Sequence, residues 1–199
     1  MSHPLMADSR HIAFFGGTFD PIHEGHLDVA GKAVEALSLN HVLFIPCRRS
    51  PHKTEAPGAS DDDRLHMLKL ATSDSPWAMV EDYELKKPHP SYTSETVAHF
   101  RDKFPANSRR FLLIGYDQWE SLPRWKDIEK LAKEVEFIVV GRGKQPESRE
   151  GYEAHFIEGN HPASASKIRE DLAKGHPPNW LPSSVKSYIS EKDLYSRIR

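Results

Sequence analysis

Residues 12–26 read Ile-Ala-Phe-Phe-Gly-Gly-Thr-Phe-Asp-Pro-Ile-His-Glu-Gly-His, and this stretch decides the fold of the chain. Its apolar start, residues 12–15, ends at Gly16-Gly17, as a buried parallel strand does before a tight turn. Proline restricts the residue before it, so Asp20-Pro21 predicts a further turn. Apolar residues at helical spacing follow His23 and His26. The stretch therefore predicts a strand, a glycine turn, two histidines and a helix, whose N-terminus favours anions.

The rest of the chain alternates apolar runs with amphipathic segments. Further strands are expected at residues 42–46, 78–85, 110–115, 135–140 and 155–157, with helices between and after them. This alternation predicts an α/β fold, a Rossmann-like open parallel sheet wrapped by helices on both faces. Ligands bind such sheets at the carboxyl ends of the strands. We therefore expect a site where Gly16-Gly17, the loop after Pro46 and Asp117 come together.

The composition narrows the class of protein. The chain has 199 residues, 38% hydrophobic and 28% charged, with a formal net charge of −2. We expect a loose tail at residues 1–10 and a single domain at residues 11–199. The small net charge argues against a nucleic-acid partner, and no apolar run is long enough to span a membrane. Cys47 is the only cysteine, which excludes an internal disulfide and predicts a cytoplasmic location.

The histidine pair alone leaves several kinds of site open. The run His-Glu-Gly-His at residues 23–26 is one position shorter than the zinc-binding His-Glu-x-x-His motif. No P-loop ending in Gly-Lys-Ser/Thr occurs, and no Gly-x-Gly-x-x-Gly turn follows the first strand. For any single histidine, a surface position or a satisfied core position is the common alternative. No set of metal ligands is predicted.

Two further segments carry groups that suit anions. The loop after the second strand contains His52 and Lys53, although a solvated basic loop would have the same composition. Near the other end of the chain, Ser164 and Ser166 open a predicted helix, and Arg169 follows within a turn. Two hydroxyls, the amides of a helix N-terminus and a guanidinium together form an anion site.

These motifs resemble a known superfamily. The run Gly-Gly-Thr-Phe-Asp-Pro-x-His-x-Gly-His at residues 16–26 resembles the signature of the HxGH nucleotidyltransferases, which join a phosphoryl substrate to ATP or CTP. The second motif is similar to theirs, with Ser166 in place of the usual threonine. The segments between resemble the bacterial nicotinate-nucleotide adenylyltransferase family: they are Ser-Pro-His-Lys at 50–53, Ser-Tyr-Thr at 91–93, Leu-Ile-Gly-x-Asp at 113–117 and Pro-x-Trp at 123–125. Tyr116 and Gln118 depart from the residues usual beside Asp117 in that family.

The resemblance implies a nucleotidyltransferase-type fold and a reaction. ATP and nicotinate mononucleotide would give nicotinate adenine dinucleotide and pyrophosphate, a step of NAD biosynthesis, by in-line attack without a covalent intermediate. The catalytic residues it implies are His23, His26, Arg169 and Lys53. ATP, carried with Mg²⁺, would be bound by Gly16, Gly17, Thr18, Phe19, Gly115, Asp117, Ser164 and Ser166. The mononucleotide would be bound by Asp20, His52, Lys53, Tyr92, Thr93 and Trp125.

Three other functions stay open at this point. A sister adenylyltransferase could use nicotinamide mononucleotide or phosphopantetheine, since acid and amide mononucleotides differ by one charge that a few loop groups can distinguish. A non-catalytic nucleotide-binding module is disfavoured, because His26, Lys53 and Arg169 are all retained. A metal-dependent hydrolase using the histidine pair would need further ligands at metal spacing. The sequence also leaves open whether the chain forms a homo-oligomer and whether the loop at residues 47–58 closes on substrate.

Overall fold

The computed structural model describes residues 9–48, 58–88, 90–141, 143 and 145–196. Six parallel strands form one sheet in this part of the chain: β1 (His11–Gly17), β2 (His41–Pro46), β3 (Ala78–Val80), β4 (Arg109–Gly115), β5 (Glu136–Gly141) and β6 (Ala154–Glu158). The helices are α1 (Glu24–Leu37), α2 (Asp61–Thr72), α3 (Tyr83–Lys86), α4 (Thr93–Arg101), α5 (Tyr116–Ser121), α6 (Ile128–Leu131), α7 (Ala165–Ala173) and α8 (Ser183–Glu191). Most of the predicted tail at residues 1–10 lies outside the described residues.

The strand order places a crevice at the centre of the sheet. The order is β3-β2-β1-β4-β5-β6, so β1 lies between β2 and β4. In the register, Phe14 of β1 is paired with Leu43 on one side and with Leu112 on the other. The chain runs from β1 outward to one edge and then continues on the other side, which opens a crevice at the carboxyl ends of β1 and β4. The predicted Rossmann-like parallel sheet is confirmed.

Apolar side chains from the strands alternate between two faces of the sheet. Ala13 belongs to a buried cluster that also contains Ala30 of α1 and Val185 of α8. Its neighbour Phe14 belongs to a second cluster, on the face covered by α4, α5 and α6, which contains Trp119. Both faces are therefore covered by helices, as predicted, and the strands are apolar on both sides because both sides are buried. No helix in the described part of the chain is long and apolar enough to cross a membrane.

The third strand is shorter than predicted. A strand over residues 78–85 was expected, but β3 ends at Val80 and the chain turns into the short helix α3. β3 is an edge strand whose paired residues end at Val80 opposite Phe44. β2 itself extends only two residues further, to Pro46, and the helical turn that replaces the predicted strand buries Glu84 and Leu85. The expectation of a longer strand was wrong because it followed the apolar pattern without knowing the sheet order.

Candidate active site

The turn after β1 brings His23 and His26 together. His23 lies at the N-cap of α1 and His26 lies in its first turn. The two imidazole rings stack with centroids 3.7 Å apart and planes 20° apart, and the His23 amide donates to Nδ1 of His26 at 3.3 Å. Phe19 packs edge-on against His26, with ring centroids 5.1 Å apart. The predicted order of strand, glycine turn, histidines and helix is confirmed, with the pair at a helix N-terminus.

Gly25, between the two histidines, permits a close approach from another part of the chain. A Cβ at this position would lie 3.1 Å from Nδ1 of His23 and 3.3 Å from the Cβ of Ala163. Ala163 immediately precedes Ser164, the first residue of the second motif. A residue without a side chain is therefore needed for both neighbours to reach this turn of α1. The close approach at Gly25 brings the two sequence motifs into contact.

Burial controls the charge of His23. The residue is 7% exposed, and its Nδ1 is buried with no hydrogen-bond partner in the described part of the chain. Burial, reinforced by the nearby His161, lowers the pKa of His23 to about 4. His23 is therefore neutral at pH 7 when no ligand is bound. An anion placed beside it would favour the protonated form, because opposite charge raises the pKa of an imidazole.

Arg64 of α2 fixes the loops that follow β1 and β2. Its side chain is fully buried, with Nη1 donating to the carbonyl oxygens of Thr18 at 2.5 Å and Cys47 at 2.8 Å. Nη2 pairs with Asp61 at 2.6 Å, which supplies the countercharge. A planar guanidinium can bond several acceptors at fixed angles, so Arg64 sets the spacing of the two loops.

A cavity of about 1090 Å³ opens at the carboxyl ends of the central strands. The predicted site residues that line it are Gly16, Gly17, Thr18, Phe19, His23, His26, Tyr92, Thr93, Gly115, Asp117 and Trp125. Asp117 is exposed in the first turn of α5, directly after β4. The structure thus brings together groups that lie about a hundred residues apart in the sequence, at the crevice expected from the strand order.

Aromatic and cationic side chains form one end of the cavity. Tyr92 and Trp125 both line it, and the Lys126 ammonium lies 4.0 Å from the centroid of the Tyr92 ring. Lys126 is also paired with Glu95 at 3.0 Å, and the exposed Arg124 lines the same end. Such an end suits a flat ring that carries a negative group, since the aromatic rings can stack and the cations can offset the charge.

Glu84 places a carboxyl at the same end of the cavity. The residue is 8% exposed, and its Oε1 accepts a hydrogen bond from the Thr96 hydroxyl at 2.6 Å. Burial raises the pKa of Glu84, against the opposing effects of the Thr96 hydrogen bond and of Lys87. The negative charge is therefore disfavoured here. Glu84 was not predicted as a site residue, because the apolar pattern places it in a strand.

The second motif lies beside the cavity and not in its lining. α7 begins after Ser164, which occupies the N-cap, and both Ser164 and Ser166 are exposed. Arg169 follows on α7, with Nη1 donating to the backbone carbonyl oxygen of Asp20 at 2.6 Å. Ser164 and Ser166 thus lie at the start of the predicted helix, the Arg169 guanidinium contacts the turn after β1, and the lining residue Gly25 lies next to this motif through Ala163.

Asp20 has a different position from the one expected of a ligand-binding residue. It is 5% exposed, is absent from the cavity lining, and its carboxylate accepts hydrogen bonds from the amides of Gly58 at 2.7 Å and Ala59 at 3.1 Å. The side chain therefore connects the turn after β1 to the start of α2. His52 and Lys53, the other predicted mononucleotide contacts in this region, lie outside the described residues.

His161 is a further lining residue that the sequence analysis did not select. It lies in the cavity wall and packs edge-on against Trp180, with ring centroids 5.1 Å apart. Its position shortly before Ser164 was the available signal, but a lone histidine in a loop carries little information without its surroundings.

One cluster of possible metal ligands occurs in the described part of the chain. It consists of Glu136, Glu153 and His155, at the beginnings of β5 and β6, and Arg109 already pairs with Glu136 at 2.6 Å. Neither His23 nor His26 belongs to it.

Comparison with known proteins agrees with the fold and the motifs. A cytidylyltransferase-like family model matches residues 14–171. The probable nicotinate-nucleotide adenylyltransferase of Methylacidiphilum infernorum is 40% identical over 194 residues, covering 94% of this chain and 93% of the relative. That of Geobacillus kaustophilus is 38% identical over 188 residues, covering 92% of this chain and 85% of the relative.

A solved structure shares the fold at lower sequence identity. Plasmodium falciparum nicotinic acid mononucleotide adenylyltransferase complexed with NaAD superposes with a TM-score of 0.76 at 20% identity, covering 95% of this chain and 98% of that one. Taken with the family model and the near full-length relatives, these matches show that the chain belongs to the nicotinate-nucleotide adenylyltransferases of the cytidylyltransferase-like family.

Proposed function

We infer that this chain transfers the adenylyl group of ATP to nicotinate mononucleotide, giving nicotinate adenine dinucleotide and pyrophosphate in NAD biosynthesis. One observation carries the inference beyond family membership. A single cavity extends from the histidine pair at the N-terminus of α1 to an end lined by Tyr92, Trp125 and Arg124. The first end suits phosphates, and the second suits a pyridine ring with a carboxylate.

The chemistry asks little of a protein nucleophile. A phosphate oxygen of nicotinate mononucleotide forms a bond to the α-phosphorus of ATP, while the bond from that phosphorus to the bridging oxygen breaks and pyrophosphate leaves with the electron pair. A phosphate dianion is already nucleophilic, so no general base is needed. The protein must hold two anions in line and stabilise the charge that moves onto pyrophosphate.

His23 and His26 are the groups proposed to meet the transferred phosphoryl group. Their position at the N-terminus of α1 adds the helix dipole and backbone amides to the two rings. His23 is neutral before binding and has an unpartnered buried Nδ1. A hydrogen bond to a charged ligand is worth roughly 1.5–3 kcal/mol.

The remaining phosphates are assigned to the second motif. Ser164, Ser166 and Arg169 would hold the β- and γ-phosphates, and Lys53, which lies outside the described residues, would meet the incoming phosphate. Asp117, exposed after β4, would bind a ribose hydroxyl. These assignments follow the family motif residue by residue and stand as proposals.

Mg²⁺ is proposed to enter with ATP. The described cavity lining contains two carboxylates, Glu84 and Asp117, and Glu84 is already bonded by Thr96. Such a lining fits an ion held mainly by phosphate oxygens and water, which is how Mg²⁺ prefers to bind. The ion would supply positive charge to the phosphates.

The preference for the acid rather than the amide follows from charge. Arg124 lies at the aromatic end together with Lys126, whose charge is partly offset by Glu95, and burial disfavours the charge of Glu84 there. A carboxylate gains from this balance and a carboxamide does not.

The cytoplasmic location stays a prediction from the single cysteine.

Product analysis tests the inference. Purified protein is incubated with ATP, Mg²⁺ and either nicotinate mononucleotide or phosphopantetheine. The products are separated, identified and quantified by mass spectrometry. We expect nicotinate adenine dinucleotide and pyrophosphate in equal amounts, and no adenylylated product from phosphopantetheine. Binding of ATP without any dinucleotide would instead favour the non-catalytic binding module.

A further inference from the structure

We propose that Tyr195 is a positioning residue, which fixes Asp20 and through it the guanidinium of Arg169, so that the C-terminal segment of the chain sets the affinity for ATP. The juxtaposition is unexpected, because these residues come from three distant parts of the sequence. The inference rests on the proposed role of Arg169 in binding the phosphates of ATP.

The Tyr195 hydroxyl is bonded directly to Asp20. It donates to Oδ1 of the carboxylate at 2.7 Å, and the same carboxylate accepts the amides of Gly58 and Ala59. Asp20 is 5% exposed, so a carboxylate here needs these donors to offset the loss of water. Tyr195 supplies the side-chain donor among them.

Arg169 is held by the same residue. Its Nη1 donates to the backbone carbonyl oxygen of Asp20 at 2.6 Å and lies 3.8 Å from Oδ2 of the carboxylate. About a third of the Arg169 side chain, 32%, stays exposed, so the guanidinium is anchored on one side and accessible to an anion. A shift of Asp20 would move its carbonyl oxygen and carboxylate together, and Arg169 with them.

The ring of Tyr195 is also placed specifically. A Cβ on Gly58 would lie 3.2 Å from two carbon atoms of that ring and 3.5 Å from Cδ of Arg169, so the three residues meet at one point. Burial and the adjacent Asp20 carboxylate both raise the pKa of the Tyr195 hydroxyl, which stays a donor at every working pH.

The backbone that carries Tyr195 is in an unfavourable conformation. After α8, Asp193 and Tyr195 have φ angles of 50° and 64°, in the left-handed region that disfavours residues with a Cβ. The turn is closed by the Leu194 amide, which donates to the Ile189 carbonyl oxygen at 3.0 Å. Strained residues persist where surrounding contacts hold them, and here the contact is the one with Asp20.

A pair of tyrosines makes the test specific. Tyr188 of α8 also donates its hydroxyl to a carboxylate, that of Asp63 at 2.8 Å, but Asp63 makes no contact with Arg169 in the described structure. Tyr195→Phe and Tyr188→Phe therefore each remove one hydroxyl and one charge-assisted hydrogen bond. Each variant is titrated well below its unfolding midpoint, which is measured by circular dichroism.

The expected result is a loss of ATP affinity in one variant only. Calorimetry should show the Kd for ATP raised about tenfold in Tyr195→Phe and within twofold of wild type in Tyr188→Phe. The KM for ATP should rise in parallel, and by more than the KM for nicotinate mononucleotide. An unchanged Kd in Tyr195→Phe, or an equal loss in Tyr188→Phe, would overturn the proposal.

A double-mutant cycle separates positioning from a direct or purely structural role. If Tyr195 acts through Arg169, then Tyr195→Phe combined with Arg169→Lys should bind ATP about as weakly as Arg169→Lys alone. Multiplied losses would show that the two residues act independently and would overturn the proposal. The readout is ATP binding, so the cycle tests the role of Tyr195 even if the wild-type protein forms no dinucleotide. Absence of dinucleotide would contradict only the proposed reaction.

Discussion

The two motifs of the site are built in contrasting ways. The histidine pair at the start of α1 is packed into the protein, with His23 7% exposed and an aromatic neighbour, Phe19, against His26. Ser164 and Ser166 at the start of α7 are exposed, and Arg169 is connected to the turn after β1 through Asp20. The first motif is positioned by packing and the second by polar contacts. We therefore expect the two motifs to be sensitive to different kinds of substitution.

The largest effect is expected at the packed motif. His26→Ala removes a ring proposed to stabilise the phosphoryl group in transfer, and turnover should fall by about 10²–10³-fold, the loss typical of an oxyanion-stabilising donor. The measurement is the steady-state rate of pyrophosphate release.

His99→Ala is the matched control for that variant. His99 also stacks on a ring, with its centroid 3.8 Å from that of Tyr83, but it is exposed and does not line the cavity. The turnover of His99→Ala should match that of the wild type. Near-normal turnover in His26→Ala would remove His26 from the catalytic residues.

Arg64 tests whether the packed motif depends on a buried support. Arg64→Ala leaves the Thr18 and Cys47 carbonyls without this donor and Asp61 paired with Arg48 alone, which should cost about 3 kcal/mol of folding stability. For a chain of this size the melting temperature should fall by about 6–12 °C. Thermal unfolding followed by circular dichroism measures it.

Arg101→Ala is the comparison for Arg64→Ala. Arg101 pairs with Asp102 and Glu134 at the surface, where such pairs contribute little. Its melting temperature should stay at the wild-type value. Equal decreases in melting temperature in the two variants would show that the buried guanidinium of Arg64 stabilises the fold no more than a surface arginine does.

The pH dependence of stability gives a smaller effect with a definite sign. The pKa of His23 is lowered to about 4 in the folded chain from 6.5, so between these values the unfolded state binds more protons. The free energy of unfolding should therefore be lower by about 2 kcal/mol at pH 5 than at pH 7. Urea unfolding at pH 7 and at pH 5 measures this difference.

His23→Asn should remove most of that loss. His66→Asn, which removes an imidazole packed at an angle against Tyr188 outside the cavity, should retain it. A loss of the same size in His23→Asn and wild type would mean that the buried imidazole is not its source.

The smallest effect is expected at the exposed motif. Ser166→Thr keeps the hydroxyl and restores the residue usual in the family, and Ser166 is exposed, so there is room for the added methyl group. The KM for ATP and turnover should stay within about twofold of wild type. Ser166→Ala should lose about tenfold in the ratio of turnover to KM, as expected for a lost hydrogen bond to a charged group. Equal kinetics in both variants would show that the hydroxyl is unused.

The same contrast explains what could be predicted from the sequence. The histidine motif is local, so its strand, turn and helix followed from residues 12–26, and the alternation of strands and helices predicted a parallel sheet but not its strand order. The start of α7 at Ser164 was also local and was predicted.

Contacts between distant segments could not be predicted in this way. Asp20 was expected to bind the mononucleotide, but its carboxylate is occupied by Gly58, Ala59 and Tyr195. The sequence pattern gave no indication that Arg64 is buried. Glu84 was assigned to a strand, but the edge strand β3 ends before it, at Val80. Each depends on which elements are neighbours in space, which periodicity does not encode.

One measurement tests the central claim most directly. Pyrophosphate release is followed with ATP, Mg²⁺ and either nicotinate mononucleotide or nicotinamide mononucleotide, side by side. The exposed guanidinium of Arg124 at the aromatic end predicts that kcat/KM is at least about tenfold higher for the acid, the value of one charge-assisted contact. Equal values, or a preference for the amide, would contradict the account of substrate recognition.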